Sequence, residues 1–68
     1  MDEERRHLLL GKEELTIPEV MELWGVSTPT IIKCIQEHRL DGYDAAPPGL
    51  KKARWKVKTA SLRELIGI

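Results

Sequence analysis

Arg54, Lys56 and Lys58 alternate with Trp55 and Val57, and Lys51 and Lys52 stand just before them. Side chains alternate faces along a strand, so this spacing buries Trp55 and Val57 and turns three cations to solvent. From Leu50 to Lys58 there are five cations and no acid. The whole chain has eleven basic and eleven acidic residues, so the remainder carries a net charge of about −5. Positive charge gathered on one ribbon of a neutral chain is a means of touching a polyanion. The plainer reading is an exposed edge strand guarded by charge.

Other reactive side chains are sparse. Cys34 and His38 stand four residues apart, a spacing that brings two ligands to one helix face, but His7 is the only other histidine. Two ligands do not close a structural zinc site, and a buried thiol beside a partly covered imidazole is the expectation. The sequence contains no Ser-His-Asp or Cys-His arrangement in workable register and no glycine-rich phosphate loop. A binding module without a cofactor, rather than an enzyme, is expected.

The bulk numbers agree with a module of this kind. Sixty-eight residues form one small domain, which buries roughly 60% of its unfolded surface. The longest apolar run, Leu8 to Leu10, is too short for a membrane span or a secretory signal. A single cysteine cannot form an internal disulfide, so a reducing cytoplasm is expected.

The elements that position these groups can be followed along the chain. Residues 1–14 are charge-rich and broken by Gly11, and are compatible with a short helix, an edge strand or a loose arm. They form an N-terminal arm to a domain over 15–68. Thr16-Ile17-Pro18-Glu19 is a capping box, and Leu15 and Val20 are spaced as its hydrophobic staple. Val20, Leu23 and Trp24 supply the apolar face, and Gly25 ends the helix. Ser27 or Thr28 caps a second helix, Thr28 being less strained because Pro29 then occupies the first helical position. Ile31, Cys34, Ile35 and His38 share its inner face; Pro29, Lys33 and Gln36 lie opposite, with Ile32 and Glu37 flanking. Two short helices joined by a tight glycine turn are a helix-turn-helix pattern.

Leu40 to Tyr43 is extended, and Pro48-Gly49 fits the centre of a type II turn in the loop over 45–52. The basic strand from Ala53 to Lys58 returns antiparallel, with Tyr43 placed to pack on Trp55 across the hairpin, the favoured role, or to offer its hydroxyl to a phosphate. A last helix begins at Thr59 or Ser61, with Glu64 favouring Ser61 as cap, and buries Leu62, Leu65 and Ile66. The fold class is mainly α with a small β-hairpin: helix, tight turn, helix, two-stranded wing, C-terminal helix.

Leu15 through Ser27 (LTIPEVMELWGVS), Thr30-Ile31, Arg39-Leu40 and Arg54-Trp55-Lys56-Val57 through Leu62 together resemble excisionase-type winged helix-turn-helix domains. These belong with the DNA-binding domains of the mercury-resistance-regulator superfamily. The resemblance covers residues 15–66. It implies a second helix in the major groove of double-stranded DNA and a wing on the backbone or minor groove. Thr28, Pro29, Thr30, Lys33 and Gln36 would then approach the major groove, and Lys51, Lys52, Arg54 and Lys56 would contact phosphates or the minor groove. Relatives of this type are phage and mobile-element proteins that direct DNA recombination or regulate transcription. The implied partners are an integrase or recombinase, or further copies of the chain on DNA. Three departures stand out: Thr28-Pro29 where basic residues are common, His38 where a helix-ending glycine is common, and a long loop, Ala45 to Gly49, without a cation. Overall neutrality leaves room for a third reading, in which the basic wing docks on an acidic protein surface.

Overall fold

The computed structural model describes residues 2–68: four helices and a three-stranded antiparallel sheet. Residues 2–14 are integral parts of this fold. Asp2 caps helix α1 (Glu3–Leu10), accepting from the Arg5 amide at 2.7 Å, and Glu3 and Glu4 add charge that suits a helix start. Leu9 on α1 is fully buried. Arg5 Nε reaches Glu22 Oε2 at 3.1 Å and ties α1 to the next helix. Strand β1 (Glu14–Thr16) follows and pairs with β3 (Trp55–Lys58), setting Leu15 opposite Val57. A domain boundary at residue 15 would therefore cut through a strand, and the two-stranded wing expected from the sequence is part of a three-stranded sheet in the order β1-β3-β2. A three-residue strand with one buried position is too short for alternation to show.

Helix α2 (Ile17–Trp24) starts as its sequence prescribes. Glu19 Oε1 accepts from the Thr16 amide at 2.9 Å, and Thr16 Oγ1 accepts in return from the Glu19 amide. Leu15 and Val20, the staple pair, are both fully buried. Gly25 closes the helix at φ 77°, left-handed backbone that costs glycine little.

Helix α3 (Thr28–Gln36) is capped by Ser27, one residue earlier than the sequence favours. The Ser27 carbonyl takes the first helical bond, from the Ile31 amide at 3.1 Å, while the Thr28 hydroxyl reaches Met21 Sδ at 3.2 Å. Ile31, Cys34 and Ile35 enter the core. His38 does not join them. It holds φ 61°, where the Arg39 amide donates to the Cys34 carbonyl at 2.8 Å and the His38 amide to the Ile35 carbonyl at 3.1 Å. These two bonds make a Schellman ending with histidine in the position usually taken by glycine. The imidazole is exposed while the Cys34 thiol is buried, so the i, i+4 pair is parted by the helix end.

Strand β2 (Gly42–Asp44) pairs with the other side of β3. At Gly42 a β-carbon would stand 2.9 Å from the Lys56 carbonyl oxygen and 3.0 Å from Ile35 Cδ1, so only glycine lets β2 lie this close to α3. Helix α4 (Thr59–Ile66) is capped by Lys58 rather than Ser61. Inside the first turn, the Ser61 hydroxyl donates to the Lys58 carbonyl at 2.8 Å and accepts from the Asp41 amide at 3.1 Å, pinning the helix to the segment before β2. Leu62 is fully buried and Ile66 partly so, but Leu65 is exposed. The core formed by Leu9, Leu15, Val20, Ile31, Cys34, Ile35, Leu40, Val57 and Leu62 draws on every helix and on β1 and β3.

Candidate nucleic-acid interface

Burial of Ile31, Cys34 and Ile35 fixes which way α3 faces. Pro29, Thr30, Lys33 and Gln36 are exposed, and Thr28 is half-buried. Lys33 has no ion-pair partner among the described residues. The outward face thus offers a cation and an amide one turn apart, both free to contact a ligand.

The hairpin is organised from its base. Asp44 Oδ1 accepts from the amides of Ala46 and Arg54, each at 2.9 Å, and clamps the two ends of the loop together. Those amides, Ala46 first and then Arg54, hold the Asp44 carboxyl below its usual pKa. At the tip, the Leu50 amide donates to the Pro47 carbonyl at 3.2 Å and Gly49 holds φ 93°, the turn expected at Pro48-Gly49. Lys51, Lys52, Arg54 and Lys58 are exposed. Lys56 is half-buried rather than fully turned to solvent, because β3 is the central strand and Lys56 lies between Thr16 on β1 and Tyr43 on β2.

None of these five cations joins an ion pair among the described residues; the three that form are Arg5–Glu22, Lys12–Glu19 and Arg39–Glu37. Glu19 is engaged elsewhere. Burial alone would raise its pKa, but the Lys12 ammonium and the amide and hydroxyl of Thr16 together hold it below the usual value.

Helix and hairpin meet across an open groove of about 650 Å³. Ile17 and Pro18 from the start of α2, Thr28 and Ile32 from α3, and Trp55 give it a largely apolar floor. Lys52, Arg54 and Lys56 line the hairpin side. Trp55 therefore has two roles. It packs against the core, as its parity predicts, and also lines the groove. The sequence places Thr28, Lys52, Arg54 and Lys56 among the candidate contacts, and the fold brings all four to this groove. It does not single out Ile17 or Pro18, because those depend on how α2 docks against the hairpin.

Tyr43 departs from expectation. Register sets it opposite Lys56 rather than Trp55, so it lies on the outer face of the sheet, where its hydroxyl donates to Glu14 Oε1 at 2.9 Å. That bond to a carboxylate favours the neutral phenol and raises its pKa. Lys58 belongs to the same face, opposite Glu14, and does not line the groove. The acidic residues of α1 do not line it either.

No group of three or more His, Cys, Asp or Glu able to hold a metal ion occurs among the described residues. None of the described helices is long and apolar enough to cross a membrane. Comparison with protein-family models, curated proteins and solved structures gives no match to this chain.

Proposed function

We propose that this chain is a small sequence-selective DNA-binding protein of the excisionase, winged helix-turn-helix type. In this reading α3 enters the major groove and the β2–β3 hairpin is the wing, laid on the phosphate backbone or minor groove. The observation that carries the reading is the set of five unpaired hairpin cations, three of which line a groove shared with α3.

Dimensions support it. An α-helix with its side chains is about 10–12 Å across, and the major groove is about 12 Å wide. On the exposed face, the Gln36 amide has the donor and acceptor that read adenine, and the Lys33 ammonium can read guanine or hold a phosphate. Phosphate contacts supply affinity and base-edge contacts supply specificity, so the hairpin and the helix divide the work. One short helix offers few base contacts, so useful specificity calls for neighbouring copies on DNA or an integrase-type partner. A compact transcription regulator would use the same contacts. The apolar floor of the groove favours one further reading, a domain whose basic hairpin docks on an acidic protein.

Amide chemical-shift mapping with a mixed-sequence duplex tests the proposal. Shifts are expected over residues 28–36 and 50–56, with α1 and α4 unmoved. The absence of binding at low salt, or shifts confined to α1, would sink it.

A further inference from the structure

The tip of the hairpin differs in character from its stem. Ala45 to Leu50 carries no charge, whereas Lys51, Lys52 and Arg54 are set back behind it. Leu50 is 52% exposed and takes no part in the core cluster. It is nevertheless held in place. Two prolines fix the backbone before it, Gly49 turns the chain at φ 93°, and the Leu50 amide bonds to the Pro47 carbonyl. The Asp44 clamp closes the base of the same loop. An apolar side chain presented on a braced turn loses little further freedom when it inserts into a partner.

Resting on the DNA reading above, we propose that Leu50 is a minor-groove wedge, inserting from the wing tip between base pairs and kinking the duplex. The chemistry on the page matches what such a wedge requires. Apolar side chains entering from the minor groove unstack a base step and kink DNA by roughly 20–90°. Unstacking costs a few kcal/mol, which phosphate contacts on either side must offset. Lys51, Lys52 and Arg54 are exposed, unpaired and adjacent, so they supply those contacts as the tip enters. A cationic tip would hold the phosphates without parting the bases. The wedge should prefer flexible pyrimidine–purine steps such as TA, where unstacking costs least. It would therefore add selectivity that does not depend on α3.

The test uses a 30-base-pair duplex with a donor and an acceptor dye at its ends and one central TA step, bound at saturating protein. Wild type is expected to raise energy transfer, and to bind a duplex already kinked by a two-base bulge at least tenfold more tightly than its straight parent. Leu50→Ala, at an exposed site, should melt at the wild-type temperature and keep the wild-type salt dependence. It should leave the duplex straight and lose the preference for the bulge. Binding without a rise in energy transfer, or an equal rise with Leu50→Ala, overturns the wedge and leaves the DNA reading intact. Failure of wild type to bind DNA at low salt overturns both. Leu50-dependent binding to phosphatidylserine vesicles, with bound DNA straight, would assign the tip to a lipid surface and also overturns the wedge.

Discussion

On the proposed DNA reading, the division of the hairpin into groove-side cations and Lys58 predicts a salt dependence that mutations should separate. Lys52, Arg54 and Lys56 line the groove and Lys51 adjoins them, whereas Lys58, farther along the same strand, lies opposite Glu14 and does not line it. Each phosphate neutralised contributes about −0.9 to the slope of log K against log salt, so four contacts give a slope of about −3.6. Between 50 and 200 mM salt, that slope amounts to an affinity loss of about 150-fold. Removing two contacts with Lys51→Gln/Lys52→Gln should flatten it to about −1.8, a loss of only about 12-fold over the same range. Lys58→Gln removes one charge from another exposed site and should leave the slope unchanged. Fluorescence anisotropy with a labelled duplex at several salt concentrations measures all three proteins. If Lys58→Gln flattens the slope as much per charge as the double variant, the hairpin acts as diffuse charge and the assignment of a DNA-facing side is wrong.

Three further outcomes test the fold that carries this surface. His38 in left-handed backbone costs about 1–2 kcal/mol, of which glycine's greater unfolded freedom takes back about 0.5–1 kcal/mol, so His38→Gly should stabilise by about 0.5–1 kcal/mol. With about 2.1 cal/mol/K of unfolding entropy per residue, that raises Tm by about 4–7 °C, and a lower Tm would refute the Schellman assignment. Leu9→Ala should cost about 2–5 kcal/mol in a denaturant titration, a large part of the roughly 3–10 kcal/mol expected for a chain this size; no change would make α1 a dispensable arm. Glu19, Glu22 and Asp44 are all held below their usual pKa in the fold, Glu22 chiefly by the Arg5 hydrogen bond. For such groups the contribution to stability is complete above the unfolded carboxylate pKa of about 4 and disappears as pH falls through the lower folded values. Melting followed by circular dichroism should be level from neutral pH to about 5 and drop below about 4; a Tm unchanged down to pH 2.5 would contradict those pairings.

The elements written plainly in the sequence are those whose signals are local. The α2 capping box, the Gly25 stop and the Pro48-Gly49 turn each depend on three or four neighbouring residues, and each occurs as its residues dictate. Strand parity put Val57 in the core correctly for the same reason. What escaped the sequence depends on partners distant in the chain. Glu14–Thr16 is a strand only because β3, some forty residues later, offers it an edge. Tyr43 faces Lys56 because of a register that no local feature sets. Ser61 resembles a cap but bonds Asp41 twenty residues away. The groove was legible in its cations and hidden in its floor, since Ile17 and Ile32 meet Trp55 only once α2, α3 and the hairpin are packed.

A net charge of zero is a weak objection to a polyanion partner, because the charges are segregated. Outside the hairpin the basic residues are Arg5, Arg6, Lys12, Lys33, Arg39 and Arg63. Arg5, Lys12 and Arg39 are paired with carboxylates, and Arg63 donates to the Ile68 carbonyl oxygen. Among the described residues this leaves Arg6 on α1, Lys33 on α3, and the five hairpin cations without such partners. The unpaired positive charge is therefore concentrated on α3 and the hairpin, while Asp2, Glu3 and Glu4 are grouped at the start of α1. Fields at distances beyond about 8–10 Å are screened at physiological salt, so an approaching surface responds to the nearest patch rather than to the total. A duplex meeting α3 and the hairpin encounters a cationic surface on a neutral protein. Helix α1 carries two acids and two arginines behind the Asp2 cap, so it offers a duplex little net attraction and leaves approaches that bring the hairpin forward favoured. Reversing Glu3 and Glu4 to lysine should therefore raise nonspecific association without improving site selection, because it adds charge where α3 cannot follow.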